Sequence, residues 1–133
     1  MVYVIFAAVI IGSYLIGSVN SSILLSKAIW GDDIRKSGSG NAGATNMLRT
    51  HGKLIGVFTL ILDVLKGVIP AVMAWRLGMM LTGEKFSPAA SSDFWNMVCT
   101  ALPYIAGFFV VVGHNFPIFF GFKGGKGVAT ALG

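Results

Sequence analysis

The sequence predicts an all-α integral membrane protein: a polytopic helical bundle with three full spans, the start of a fourth, and Gly-rich cytoplasmic loops. Two features of its 133 residues support this fold class. Hydrophobic residues make up 55% of the chain and charged residues only 11%, whereas a soluble domain carries about a quarter charged residues. The apolar residues also form long runs, and a helix needs about 20 of them to cross the hydrocarbon core of a bilayer.

Each apolar run defines one predicted span. The small polar residues at 17–22, late in the first run, are expected to face other helices, where they allow close packing. A short Gly-, Pro- and Ser-containing loop is predicted at 82–93. The final run is too short to cross a membrane, so 1–133 is interpreted as a single membrane domain, the N-terminal part of a longer one. The predicted spans are approximately 2–29, 54–81, 94–113 and, as a start only, 128–133.

Charge distribution predicts the orientation of the chain. Two spans separate the two Gly-rich polar segments, so both segments face the same compartment. The opposite loop is flanked only by Arg76 and Lys85. Because basic residues concentrate on the cytoplasmic side of membrane proteins, the side of the Gly-rich segments is predicted to be cytoplasmic and the N-terminus to lie outside. The basic residues on the Gly-rich side are Lys27, Arg35, Lys36, Arg49, Lys53, Lys123 and Lys126.

Several function classes lack support in the sequence. The formal net charge is +5, but no basic helix or aromatic platform accompanies it, so we expect no nucleic-acid partner. The single cysteine, Cys99, lies in an apolar run and is interpreted as a small buried hydrophobic residue. Neither a metal-ligand cluster nor a nucleophile-elbow pattern is present. We therefore expect no metal and no cofactor.

The first Gly-rich segment has the composition of an anion site. Its centre, residues 37–46, reads SGSGNAGATN. Glycine allows backbone amides to approach a ligand closely, and successive amides form anion-binding nests. A short helix predicted at 42–49 adds its N-terminal amides. The alternative is a flexible membrane-surface loop. The predicted phosphate ligands are Gly38, Ser39, Gly40, Asn41, Thr45, Asn46 and, as a planar bidentate cation, Arg49.

The second Gly-rich segment, 121–127, repeats this pattern. Gly124 and Gly125 precede Lys126, and Gly127 precedes a helix-like stretch. The spacing departs from a Walker A loop, which needs four residues before its Gly-Lys pair and a Ser or Thr after it. We predict a second phosphate site here.

Three ionisable residues in or beside the spans leave alternatives open. Asp63 and Lys66 lie three apart on one helix face. They form either a structural ion pair or, through Lys66 reaching toward the Gly-rich side, part of an anion site. His114 begins the second polar segment and acts either as a base or hydrogen-bond donor to substrate, or as a contact to the end of its helix.

Four stretches of the sequence carry a resemblance to a known family. They are SGSGNAGATN at 37–46 followed by Arg49, DVLKG at 63–67, GHN at 113–115 and FFGFKGGKGVAT at 119–130. Together they resemble the bacterial acyl-phosphate:glycerol-3-phosphate acyltransferase family. The resemblance covers almost the whole chain, and its first and last strings are specific. The family's usual chain is longer, with further spans and a third cytoplasmic motif containing His and Asn that this sequence lacks.

The resemblance implies a multi-pass enzyme of the bacterial inner membrane, surrounded by membrane lipid. Its substrates would be acyl phosphate and glycerol 3-phosphate, and its products lysophosphatidic acid and phosphate. Ser39 and Arg49 would match essential first-motif residues, and Gly124, Gly125, Lys126 and Gly127 would match the glycerol-3-phosphate-binding motif. The hydroxyl proton passes to a substrate phosphate or to His114. The alternative function is a non-enzymatic organophosphate binder or transporter subunit.

Overall fold

The computed structural model describes residues 2–82 and 92–133, and every regular element in these ranges is helical. Three apolar stretches are long enough to span a membrane: Tyr3–Trp30, Lys53–Leu81 and Cys99–Phe120. The predicted fold class, with three full spans and a short further helix, is confirmed. Positions 83–91 of the predicted 82–93 loop lie outside the described residues. The elements are α1 (Val2–Ser18), α2 (Ser21–Trp30), a 3-10 turn (Ile34–Lys36), α3 (Ala44–His51), α4 (Lys53–Thr82), α5 (Ser92–Asn115), a second 3-10 turn (Ile118–Phe120) and α6 (Val128–Leu132).

The first apolar run is two helices rather than one. The break falls at Asn20, whose backbone is extended (φ −88°, ψ 108°) and whose Oδ1 accepts a hydrogen bond from the amide of Ile23 at 3.1 Å. Asparagine is a strong helix N-cap because its side chain satisfies an amide that the first turn leaves free. Its Nδ2 also donates to the carbonyl oxygen of Ala42 at 3.3 Å. The side chain of Asn20, at the break, therefore links the first span to the first Gly-rich segment by a hydrogen bond.

Helix α5 is the centre of the bundle and packs along both α1 and α4, while α3 and α6 pack on α4. The crossing of α1 and α5 is close because glycines lie on both sides of it. A Cβ at Gly17 would overlap the backbone of Val110, and one at Gly113 would overlap the backbone of Tyr14. Close approach through small residues is how membrane helices gain packing contacts without a hydrophobic driving force.

Helices α1 and α4 diverge and leave a groove between them of about 530 Å³. Its walls are mostly apolar and belong to the membrane-spanning parts of the two helices, with Ser13 and Arg76 among the lining residues. Gly12 lines its α1 side and Pro70 its α4 side. Pro70 follows Lys66 by one helical turn, so the groove begins close to the buried charges of α4.

A buried hydrophobic cluster lies beneath the first Gly-rich segment and holds the short elements of the polar end together. It joins α2, the first 3-10 turn and α3, with Ile55 and Phe120 packed against it. Because these side chains come from both Gly-rich parts of the chain, the two segments lie at the same end of the bundle, as predicted. The fully buried members are Ile23, Ile34, Ala42 and Met47.

The Gly113→Ala variant tests the α1–α5 crossing. Its added methyl group meets backbone atoms that cannot rotate away, so we expect a loss of about 1–3 kcal/mol of stability, as is usual for overpacking. The measurement is thermal unfolding in detergent micelles. Gly107→Ala on the same helix is the control, because a Cβ there meets nothing within 4 Å. Equal melting temperatures for the two variants would contradict the crossing described here.

Candidate active site

The side chain of Asn46 holds the first Gly-rich segment in shape. Its Oδ1 accepts from the amide of Ser39 at 2.9 Å, and its Nδ2 donates to the carbonyls of Ile34 and Ser37 at 3.1 and 3.0 Å. The side chain is buried. Asn46 was predicted as a phosphate ligand from its position in the motif, but both ends of its amide are engaged by the loop itself.

Much of the rest of this segment faces outward, although Ala42 and Gly43 are buried. Helix α3 begins at Ala44, two residues later than predicted, because Gly43 is extended (φ −157°) and caps it. Gly38 and Gly40 have positive φ values of 57° and 71°, which glycine adopts without steric cost. Asn41 is half-buried. The predicted ligands Gly38, Ser39, Gly40, Thr45 and Arg49 are exposed at this end of the bundle.

The second Gly-rich segment folds back onto the end of α5. The amide of Gly124 donates to the carbonyl of Asn115 at 3.1 Å, and that of Gly125 to the carbonyl of His114 at 3.2 Å. These bonds satisfy carbonyls that the last helical turn leaves free. The two amides were expected to face a phosphate, and they instead cap the helix.

Gly125 lies where three parts of the chain meet. A Cβ at this position would overlap both Nε2 of His114 and the carbonyl oxygen of Ala42. Only glycine fits between the imidazole ring and the first segment, so the glycine at position 125 indicates close packing. Lys126, the next residue, is exposed, whereas Gly127 is buried with φ 71°.

A charged cluster lies beneath this junction, within the spans. Lys66 Nζ is 2.8 Å from Asp63 Oδ1 and 2.7 Å from Nδ1 of His114, and it is also 3.3 Å from the carbonyl oxygen of Val19. Asp63, Lys66 and His114 are all buried. The predicted Asp63–Lys66 ion pair is present. In the described ranges, no group of three or more His, Cys, Asp or Glu residues is arranged to hold a metal ion.

Arg35 connects the two Gly-rich segments and was not predicted as a site residue. Its Nη1 donates to the carbonyls of Phe120 at 2.7 Å and Lys123 at 3.0 Å. The carboxylate of Asp33 accepts from Nε at 2.9 Å and from Nη2 at 2.6 Å. The only sequence signal for this contact is the Asp-x-Arg spacing, since its distant partners are backbone carbonyls.

The pairing changes the titration of both groups. Hydrogen bonding to Arg35 lowers the pKa of Asp33 from 3.8 to about 2, and Asp33 in turn raises the pKa of Arg35. A carboxylate with a depressed pKa contributes stability above its ordinary pKa and loses that contribution as the pH falls through the lower value. The pair is therefore fully charged near neutral pH.

Comparison with known proteins identifies relatives of one kind. The family model described as "Glycerol-3-phosphate acyltransferase" matches residues 7–133. Proteins named glycerol-3-phosphate acyltransferase from Francisella tularensis subsp. holarctica (strain OSU18) and Geobacter metallireducens are 45% and 48% identical over 126 and 122 residues. These alignments cover 95% and 92% of this chain, and 52% and 53% of the relatives. The chain thus spans about half the length of the curated relatives it matches.

Two crystal structures of one protein, described by different ligands, are also similar. The glycerol 3-phosphate form of PlsY (YgiH), described as an integral membrane glycerol 3-phosphate acyltransferase, superposes with a TM-score of 0.73 at 41% identity. It covers 96% of this chain and 55% of that one. The lysophosphatidic acid form gives a TM-score of 0.67 at 38% identity. At these identities the likeness extends beyond the fold to the sequence.

The Asn46→Ala variant tests how the first segment is held. It removes three hydrogen bonds and leaves their backbone partners without that side chain, and a buried unpaired group costs about 1–3 kcal/mol. We expect hydrogen–deuterium exchange of residues 37–43 to become about 10–100-fold faster, because local opening governs exchange. Thr45→Ala, an exposed neighbour, is the control. Unchanged exchange in the Asn46 variant would show that other contacts shape the loop.

Proposed function

This chain belongs to the glycerol-3-phosphate acyltransferase family, and we propose that it transfers a fatty acyl group from acyl phosphate to the 1-hydroxyl of glycerol 3-phosphate. The products are lysophosphatidic acid and phosphate. The observation that supports this most is that two Gly-rich segments, about 80 residues apart in sequence, meet at one end of a membrane bundle around Gly125. Both substrates carry a phosphate group, and one bears a long apolar chain.

Exposed side chains supply the phosphate contacts in this proposal. Arg49 offers a planar pair of donors to one phosphate, and Lys126 offers a compact cation to the other. Ser39 adds a hydroxyl beside Arg49. The exposed glycines keep the backbone open to both substrates. Asn46 and the amides of Gly124 and Gly125 hold the loops in place, so their contribution to binding is through loop shape.

Lys66 acts in this scheme through His114. An ammonium group has donors and no acceptor, so Nδ1 of His114 accepts from Lys66 and the ring hydrogen lies on Nε2. That nitrogen faces Gly125 and the carbonyl of Ala42, at the junction of the two segments. His114 is thereby set as a hydrogen-bond donor at the junction, and its lone pair is not available as a base.

The transfer then proceeds without an enzyme nucleophile. The 1-hydroxyl oxygen attacks the acyl carbon, the bond from that carbon to the phosphate oxygen breaks, and the departing phosphate accepts the hydroxyl proton. Holding the two reactants in place lowers the barrier by several kcal/mol, with about 7–11 kcal/mol as the range for well-oriented reactions. Arg49, on the acyl phosphate, stabilises the charge that develops on the leaving phosphate, and Lys126 holds the phosphate of glycerol 3-phosphate.

The groove between α1 and α4 is the proposed site of the acyl chain. It is mostly apolar, lies within the spans and begins one turn beyond Lys66. An acyl chain placed there would reach the polar end with its phosphate leading. Because the acyl chain arrives from lipid, its burial gains little hydrophobic free energy, so the groove would discriminate between chains by the length that fits it.

The proposed location is a bacterial inner membrane, with the polar end in the cytoplasm and the N-terminus outside. The positive-inside rule supports this orientation, because the basic residues concentrate at the end that carries the Gly-rich segments. Glycerol 3-phosphate, a charged cytosolic metabolite, would reach the site from water, and the acyl donor from the lipid phase.

Arg49→Ala is the first test of this function. The purified chain in nanodiscs is supplied with acyl phosphate and labelled glycerol 3-phosphate, and lysophosphatidic acid is measured. We expect product in the absence of acyl-CoA, and a loss of about 100-fold or more in the variant because transition-state charge loses its partner. Lys53→Ala is the control, since it removes an exposed cation four residues away.

The same preparation separates the enzyme from the alternative function. A non-enzymatic binder or transporter subunit would bind labelled glycerol 3-phosphate, or admit it into liposomes, without forming product. Transport sites usually lie near the middle of the membrane, in broken helices, whereas the Gly-rich segments lie at one end. Uptake without acylation would contradict the proposal.

Gly12→Leu tests the acyl groove. A Cβ at Gly12 meets nothing within 4 Å, and the position lines the groove. The added side chain should fill the groove and shift the preferred acyl chain to shorter lengths, while the KM for glycerol 3-phosphate stays the same. Gly107→Leu is the control, because that position is equally open but lies on α5 away from the groove. An unchanged chain-length profile would place the acyl chain elsewhere.

A further inference from the structure

One guanidinium group bridges the two Gly-rich segments at their outer side. Arg35 lies two residues before the first segment, and its carbonyl acceptors, on Phe120 and Lys123, are 85 and 88 residues away in sequence. Lys123 lies in the second segment, and Phe120 directly precedes that segment. In the described ranges, Arg35 is the residue beside the first segment whose side chain donates hydrogen bonds to the region of the second segment.

The guanidinium group is itself fixed before it reaches across. Asp33 accepts from Nε and Nη2, and its Oδ1 also accepts from the backbone amide of Arg35 at 3.1 Å. Lys27 lies 3.9 Å from the same carboxylate and 5.7 Å from the ring centre of Phe120. The planar fork of arginine allows one edge to face a carboxylate while the other donates elsewhere. The group therefore has a defined orientation and does not sample solvent freely.

The contacts of Arg35 are better suited to fixing the distance between the two loops than to stabilising the fold. Exposed and half-exposed ion pairs contribute little to the folding free energy, and the two carbonyls belong to loops that buried contacts already hold from below. Reaction between two bound substrates depends strongly on their separation, and a displacement of about 1 Å can cost on the order of 100-fold in rate. A contact at the outer side of both loops controls that separation directly.

We propose that Arg35 is a positioning residue that sets the distance between the two Gly-rich segments, and with it the distance between the two bound substrates. The proposal rests on the function proposed above. Arg35 itself contacts neither substrate. Its effect is transmitted through the backbone of residues 120–123 to Lys126, and through the turn at 34–36 to Ser39.

The decisive comparison is Arg35→Lys with Arg35→Ala. Lysine keeps the charge but presents all its donors on one atom, so it cannot face Asp33 and two carbonyls together. We expect both variants to lose at least about 10-fold in kcat, with less than about twofold change in the KM for glycerol 3-phosphate, because each substrate still binds while their alignment is lost. Lys36→Ala, an exposed cation next to Arg35, is the control and should match the parent protein. Full activity in Arg35→Lys would overturn the proposal, since charge alone would then suffice.

A second readout does not depend on activity. Spin labels are attached at Leu48→Cys and Phe119→Cys, both exposed positions, in a Cys99→Ala background. We expect one narrow distance distribution in the parent protein and a broader one in Arg35→Ala and Arg35→Lys. A narrow distribution in both variants would overturn the proposal. Broadening in a preparation that makes no product would support the spacing contact while contradicting the acyltransferase function, so the two failures are distinguishable.

Discussion

The ammonium group of Lys66 is the contact on which the arrangement of the polar end depends. A charged group at this depth is costly unless it is paired, and three partners surround it: Asp63 on its own helix, the carbonyl of Val19 at the break in the first span, and the imidazole of His114 at the end of α5. One buried cation thus joins three membrane segments. Water cannot replace any of these partners inside the bilayer, so the segments must converge.

Both Gly-rich segments are built outward from this point. The break beside Val19 places the buried side chain of Asn20 where its Nδ2 donates to the carbonyl of Ala42 in the first segment. The carbonyl of His114 accepts from Gly125 in the second segment. The inner side of each segment is therefore attached to a residue that is, or directly follows, a partner of Lys66. The outer sides are joined by Arg35. A pair of loops restrained at both sides is suited to aligning two reactants, whichever chemistry follows.

The sequence was sufficient for features that depend on local composition. Apolar runs long enough to cross a bilayer specify the spans, and the three-residue spacing of Asp63 and Lys66 specifies their ion pair, because helical periodicity puts them on one face. The break at Asn20 was missed because the small polar residues around it were interpreted as a helix-packing surface. Asn20 followed by two serines is nevertheless an N-cap signal. The contact of Arg35 was not predictable, because its acceptors are carbonyl groups that every residue possesses.

The glycines of the second segment have a packing role that their sequence pattern alone does not indicate. Their pattern was taken as free amides for a phosphate, yet the amides of Gly124 and Gly125 cap α5, and Gly125 is glycine because His114 and Ala42 leave no room for a side chain. In the proposed function, phosphate binding at this end therefore relies more on the exposed side chains of Lys126 and Arg49 than on backbone amides. Side-chain cations are flexible and are positioned only as well as the backbone that bears them. A site of this kind therefore depends on the packing beneath its loops, where His114 and Ala42 leave no room for a side chain at position 125.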